Sequence, residues 1–276
     1  MGAQSDQPSG PPGEAPPRAA VLLVGDELLS GKIRDENGHF LAKAMRRRGI
    51  ALVEIRTVSD APRDIGHALL DLAARVPILF TSGGVGPTHD DRTLAAIAEA
   101  TGRPLQRNAT MERQLREYYT DRITDAALSM ADLPEGTELC AGPGWPAMRL
   151  SLEGPPPCRV YILPGVPGLL RAKVERLLAA DGELPDAGGW HLAEIHTSLE
   201  ESQLAPLLDA VLQEFPKVEI GSYPRWSRGD DGRIALDVRV TLEGPVAMAD
   251  DVQAAHAALQ RRLPVDAIIP EAPAQA

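Results

Sequence analysis

Acidic side chains set beside glycine turns are the residues of this sequence that could do chemistry. The densest case is Phe80-Thr81-Ser82-Gly83-Gly84-Val85-Gly86-Pro87-Thr88-His89-Asp90-Asp91-Arg92-Thr93. A glycine turn lets backbone N–H groups approach an anion, and a helix start behind it adds the positive end of its dipole. Asp90 and Asp91 would repel a phosphate unless a cation stood between them. The combination therefore predicts a phosphorylated ligand and a divalent metal, Mg²⁺ or a similar hard ion held by oxygen ligands. Gly25-Asp26-Glu27 repeats the pairing upstream, Ser59-Asp60 places a further acid at a helix start, and Pro164-Gly165 offers another glycine turn later in the chain. The expected phosphate contacts are Gly25, Ser82, Gly83, Gly84, Gly86, Thr88, Pro164 and Gly165. Asp26, Glu27, Asp90 and Asp91 are the expected metal ligands. Two side chains keep two readings: Glu27 is a ligand or the first polar residue after a strand, and His89 a proton shuttle or a solvent-facing histidine.

These residues need elements to position them, and the apolar pattern supplies a consistent set. Ala20–Val24 and Val76–Thr81 are near-continuous apolar runs, as in strands covered on both faces. Ala51–Val58 alternates as a strand, and Arg159–Leu163 is another that runs into Pro164-Gly165-Val166-Pro167-Gly168. Helices are predicted from about Asp35 to Arg48, with Phe40, Leu41, Ala44 and Met45 on one face, and after Ser59-Asp60-Ala61-Pro62, with Ile65, Ala68, Leu69, Leu72 and Ala73 inward. Others follow near Arg92, over Met111–Arg122 and up to Leu178. Ala141–Leu150 reads as irregular. Strand–helix alternation means a mostly parallel sheet with helices on both faces, whose right-handed crossovers put every strand-to-helix loop at one edge. Asp26, Glu27, Asp60, Asp90 and Asp91 then share that edge.

Asp181–Gly189 is polar and glycine-rich and reads as a linker. Beyond it the predicted order is β-α-β-β-α-β, that of a ferredoxin-like unit. One of its strands is placed over Val218–Tyr223, with Ser222-Tyr223-Pro224-Arg225 as the strand end and loop, and Gly229-Asp230-Asp231-Gly232 is read as a turn. The fold class expected is thus α/β, a three-layer sandwich with a mostly parallel sheet over residues 19–182, plus a small α+β unit over 190–270. Residues 1–18, rich in proline and glycine, read as a disordered leader.

At 276 residues there is ample chain for a core, and no apolar run approaches the length of a membrane span. The net charge of −11 argues against nucleic-acid and anionic-membrane partners, both of which require a basic face. Cys140 and Cys158 cannot staple a secreted scaffold of this size and read as reduced residues of a cytoplasmic protein.

Three ordered motifs carry a resemblance: Val24-Gly25-Asp26-Glu27-Leu28-Leu29-Ser30-Gly31, Ser82 through Asp91, and Leu163-Pro164-Gly165-Val166-Pro167. Over about Ala20–Leu178 the chain resembles the molybdopterin-binding (MoaB/Mog-like) domain family. It looks most like the amino-terminal domain of competence/damage-inducible protein A and the related domain of FAD synthases. Ile220-Gly221-Ser222-Tyr223-Pro224 extends the likeness into the small unit. The resemblance implies the same three-layer fold, molybdopterin as a candidate ligand, and two acting aspartates that match Asp60 and Asp91. It also implies metal-dependent hydrolysis of ADP-ribose or FAD. His89 stands where many bacterial competence proteins have proline, and Gly142-Pro143-Gly144-Trp145-Pro146 departs from the usual family pattern. No amidohydrolase or FAD-synthesising domain is expected within this chain length.

Three functions follow as expectations. The first is a metal-dependent pyrophosphatase acting on a nucleotide diphosphate. The second is a protein that binds or transfers a phosphorylated pterin in molybdenum-cofactor metabolism, and the third a non-catalytic interaction module. A homo-oligomer is compatible with all three.

Overall fold

The computed structural model describes residues 16–140, 146–228 and 234–270. The chain divides into two compact units, one ending at Asp186 and the other beginning at Ala187.

The first unit starts with β1 (Arg18–Val24), a single helical turn α1 (Asp26–Leu29), α2 (Asn37–Arg47), β2 (Ala51–Val58), α3 (Pro62–Ala73), β3 (Ile78–Ser82) and α4 (Thr93–Thr101). It continues through β4 (Leu105–Arg107), α5 (Ala109–Tyr119), α6 (Asp125–Ser129), β5 (Asp132–Pro134), β6 (Thr137–Cys140), β7 (Ala147–Leu152), β8 (Cys158–Leu163) and α7 (Pro167–Ala179). Six strands form one sheet in the order β2-β1-β3-β8-β7-β6, parallel from β2 to β8 and antiparallel from β8 to β6; β4 and β5 pair separately.

Alternation along the strands sorts the apolar residues into two layers. Leu22, Val24, Leu79, Val160 and Ile162 pack with Ile65, Leu69 and Leu72 of α3 and Ile97 of α4. Val21, Leu23, Phe80, Tyr161 and Leu163 pack with Leu41 and Met45 of α2 and Leu170 and Val174 of α7. This is the three-layer α/β sandwich expected. Phe80 and Tyr161 stack with ring centroids 5.2 Å apart. Fully burying one large side chain of this kind contributes about 1.5–3 kcal/mol, so the central strands anchor the sheet.

The second unit comprises β9 (Trp190–Thr197), α8 (Glu201–Glu214), β10 (Glu219–Arg228), β11 (Ile234–Pro245), α9 (Ala249–Arg262) and β12 (Ile268–Ile269). Its sheet is antiparallel throughout, ordered β10-β11-β9-β12, as in a ferredoxin-like unit. Val238, Val240 and Leu242 meet Leu204 and Val211 of α8 and Val252 and Leu259 of α9.

Three local expectations are corrected. Within Ala141–Leu150, read as irregular, β7 begins at Ala147, and it pairs with β6 just before that segment, Leu139 opposing Met148 and Thr137 opposing Leu150. The Gly142–Trp145 part of that segment, the Gly229–Gly232 turn and all but the last three residues of the leader lie outside the described residues. Ser222–Arg225 is not a strand end: β10 runs on to Arg228, Tyr223 opposing Arg239 and Arg225 opposing Asp237. Pro224 is accommodated because β10 is an edge strand, with one side free of ladder bonds. The Asp181–Gly189 stretch, read as linker, begins as part of the first unit. Leu184 is buried there, and the Glu183 carbonyl accepts hydrogen bonds from Arg159 Nη1 (2.7 Å) and the Tyr161 hydroxyl (2.8 Å).

Candidate functional site

The carboxyl ends of the four parallel strands are level. Val24 pairs with Val58, Leu23 with Ser82, and Ser82 with Leu163. The loops that follow therefore leave the sheet side by side. Chain order along the sheet reverses between β1 and β3, the position at which open α/β sheets form a crevice outside their strand ends.

Gly83 is where those loops meet. Its N–H donates to Leu163 O at 3.2 Å, and a β-carbon built on it would lie 2.2 Å from Val24 O. Its φ of +108° is a conformation that side-chain-bearing residues rarely adopt. A β-carbon on Gly165 would stand 3.3 Å from Gly83 Cα. Backbone thus packs on backbone across the ends of β1, β3 and β8. Thr93, fully buried at the start of α4, closes the turn from beneath: its Oγ1 donates to Gly83 O (2.8 Å) and its N–H to Gly84 O (2.9 Å).

The acids fall into separate groups on this edge. Asp60 Oδ2, in the loop after β2, accepts the Asp26 N–H at 2.9 Å, tying that loop to the one after β1. Glu27 folds back over Gly25, filling the space a β-carbon there would need. Asp90 and Asp91 gather on Thr88, whose Oγ1 reaches both carboxylates (2.5 and 2.6 Å) and whose N–H donates to Asp91 Oδ2 at 2.8 Å. The hydrogen bond from Thr88 is the main cause that holds Asp90 below the usual carboxylate range. Asp91 Oδ2 also sits 2.6 Å from where a Gly86 β-carbon would be. His89 turns to solvent, with 93% of its side chain exposed.

Among the described residues, no group of three or more His, Cys, Asp or Glu side chains stands where it could hold a metal ion. Asp26, Glu27, Asp90 and Asp91 share an edge without forming an all-protein cage.

Two residues that the sequence reading did not single out help to build this edge. Thr93 is one. Asn37, at the first position of α2, is the other: it is buried and bridges Ser82 and Gly165. The sequence did carry a signal for it, because Asn37 lies on the helix face of Leu41 and Ala44, where a polar residue is out of place. Asp35 supports it by accepting the N–H groups of Asn37 (2.9 Å) and Gly38 (3.0 Å) at the helix start. Across the same layer, Arg171 of α7 reaches Glu36 at 2.8 Å. The cysteines stay outside the site. Burial pushes the Cys140 thiol up to about 11 and the Cys158 thiol to about 12, which makes both poor nucleophiles at neutral pH.

Comparisons with known proteins agree with this architecture. Residues 20–181 match the family model described as a probable molybdopterin binding domain, and residues 189–272 match the middle domain of FAD synthase. A protein of Pyrococcus horikoshii is 34% identical over 224 residues, covering 75% of this chain and 84% of that one. A Thermococcus kodakarensis protein is 36% identical over 219 residues, with 75% and 85% covered. A CinA-like protein of Syntrophus aciditrophicus is 33% identical over 242 residues, and this chain spans 54% of its length. Among solved structures, the protein CinA of Thermoplasma acidophilum, described as of unknown function, superposes with a TM-score of 0.55 at 27% identity, covering 59% of this chain and 96% of that one. No helix among the described residues is long and apolar enough to cross a membrane.

Proposed function

The chain belongs to the family of probable molybdopterin binding domains, and from that premise we propose that its loop junction binds a small phosphorylated ring compound and, with a divalent cation, hydrolyses the pyrophosphate bridge of a nucleotide diphosphate such as ADP-ribose or FAD. The observation that carries this reading is the backbone-to-backbone meeting of loops at Gly83, on the edge where Asp60 and Asp91 stand. A glycine turn stripped of side chains at a helix start suits an anion, and α4 begins directly behind it.

The carboxylates fit a cation shared with the ligand. Mg²⁺ usually takes one or two carboxylates plus substrate phosphates rather than an all-protein cage, and Asp90 and Asp91 are adjacent residues gathered on one threonine. When bound, the cation would polarise a phosphoryl oxygen and offset the charge of the bridging phosphates. In this reading the turn at Gly84–Gly86 receives a phosphate through backbone N–H groups. Asp60 holds the β1 loop in place through the Asp26 N–H. Asp91, braced by Thr88, keeps the turn closed over Gly86. Water adds to one phosphorus as the bridging P–O bond breaks, so ADP-ribose would yield AMP and ribose 5-phosphate.

A second reading, binding or transfer of a phosphorylated pterin without hydrolysis, is favoured by the lack of a three-carboxylate group among the described residues. Incubating the purified protein with Mg²⁺, Mn²⁺ or Co²⁺ and ADP-ribose or FAD separates the two. Hydrolysis predicts AMP release that falls by about a hundredfold in Asp60→Ala, which removes the acceptor of the Asp26 N–H, and in Asp91→Asn, which removes a carboxylate charge from the cation. No AMP from folded protein that binds a pterin selects the second reading. Ligand binding unchanged in both variants would point instead to a non-catalytic module.

A further inference from the structure

Asn37 commits both of its amide hydrogens across the site. Nδ2 donates to Ser82 Oγ at 3.0 Å and to Gly165 O at 2.7 Å, and Ser82 Oγ in turn donates to Pro164 O at 3.3 Å. A backbone carbonyl can only accept, so the orientation of the amide is determined and its oxygen points away from both partners. That oxygen, Oδ1, is buried with no hydrogen-bond partner. Burying an unpaired polar atom is costly, and an apolar side chain on this helix face would avoid the cost. What asparagine supplies and leucine cannot is a pair of donors reaching two loops, 45 and 128 positions away in the chain.

We propose that Asn37 is a positioning residue, a clamp that sets the separation between the Gly83 turn and the Pro164-Gly165 loop and so the width of the opening that receives the ligand. This rests on reading the junction as a ligand site. Where the two loops leave the sheet they are already joined by the Gly83 N–H to Leu163 O bond, and Asn37 adds the side-chain link from Ser82 to Gly165 beyond it. Removing the donors loosens both loops at once, at Ser82 and at Gly165, although they are far apart in sequence. Aspartate at this position keeps the size and makes the clamp titratable. Protonated, it can donate once to Gly165 O; ionised, it donates nothing and faces two oxygens.

The test uses the full chain. In Asn37→Ala, amide hydrogen exchange at residues 83–84 and 165–166 is expected to quicken together by about tenfold, while residues 79–80 at the centre of β3 keep their wild-type rates. Titration with ADP-ribose or inorganic pyrophosphate, in Mg²⁺, is expected to show an affinity about tenfold weaker. In Asn37→Asp, the affinity relative to wild type should recover as pH falls and the carboxyl protonates. Wild-type exchange at both loops in Asn37→Ala, or quickening spread equally through β3, overturns the proposal. So does an Asn37→Asp affinity ratio that is flat with pH, and this arm decides the matter if Asn37→Ala does not fold. If wild-type protein binds neither probe, the reading of the site fails while the exchange measurement still decides the clamp.

Discussion

Alanine at position 83 puts a side chain where the backbones of two strands meet. Its β-carbon would lie 2.2 Å from Val24 O, against a practical lower limit of 3.0 Å, so something must move by about 0.8 Å. The obstructing atom belongs to the backbone of β1, inside the core, and cannot swing aside as a side-chain tip would. Forcing a packed core apart costs about 1–3 kcal/mol. The φ of +108° adds backbone strain of about 1–3 kcal/mol for a residue other than glycine. The total expected is roughly 2–6 kcal/mol, centred on about 4. Gly102 provides the control: its φ is +65° and nothing lies within 4 Å of its β-carbon position, so alanine there carries the strain alone, about 1–2 kcal/mol. The difference of about 2 kcal/mol or more corresponds to roughly a thirtyfold ratio in an equilibrium constant. Hydrogen exchange at residues 19–24 and 78–82 reads that ratio within the first unit. If Gly83→Ala and Gly102→Ala raise exchange at these strands alike, the ends of β1 and β3 do not meet as described.

Two further expectations concern the body of the first unit. Lys173 is buried, donates to Pro146 O at 2.7 Å, and is held down to about 8, chiefly by burial, from an ordinary 10.5. A folded-state value below the unfolded one means the fold disfavours the charge, a penalty present below pH 8 that lifts between pH 8 and 10.5. Cys140 and Cys158, raised from 9.0, act in the opposite sense and withdraw stability as pH rises through 9. Urea titrations should therefore show stability nearly level from pH 8 to 9, where a lysine gain of about 1 kcal/mol is largely offset by the two cysteines, and falling beyond; Lys173→Met should turn that plateau into a fall, and a plateau that survives the substitution would assign it elsewhere. Glu183 receives Arg149 Nη1 on both carboxylate oxygens, at 2.7 and 2.9 Å, with only 16% of its side chain exposed. Glu183→Gln should cost about 1–2 kcal/mol, as expected for a hydrogen bond to a charged group. A thermal melt that does not shift would show that the segment after α7 is held by buried Leu184 and the hydrogen bonds to the Glu183 carbonyl rather than by the Arg149 contact.

Much of the fold was legible because it rests on short-range pattern. Val21–Val24 and Ile78–Phe80 are apolar at every position, as strands covered on both faces must be, and the helix faces of Leu41, Ala44 and Met45 or Ile65, Leu69 and Leu72 repeat at helical spacing. The β6–β7 pair was not legible, since its partners are set by the existing edge at β8 and its own alternation is weak. The extension of β10 through Pro224 was hidden for a similar reason: ladder bonds to β11 outweigh a local breaker on an edge strand.

By itself the sequence determined the chemistry available at this edge. The glycine turn, the carboxylates and their places after successive strands all follow from residue type and element order, since crossover handedness puts every such loop on one side. Only the tertiary structure decided which of these groups meet. Sharing an edge brings residues to one line and not to one point, and hydrogen bonds between distant segments make the final choice. Thr88 gathers Asp90 and Asp91, Asp60 turns to the Asp26 N–H, and Glu27 folds over Gly25. Asn37 joins Ser82 to Gly165 through contacts no local pattern encodes, because each bond exists only once the sheet has set its strand ends level.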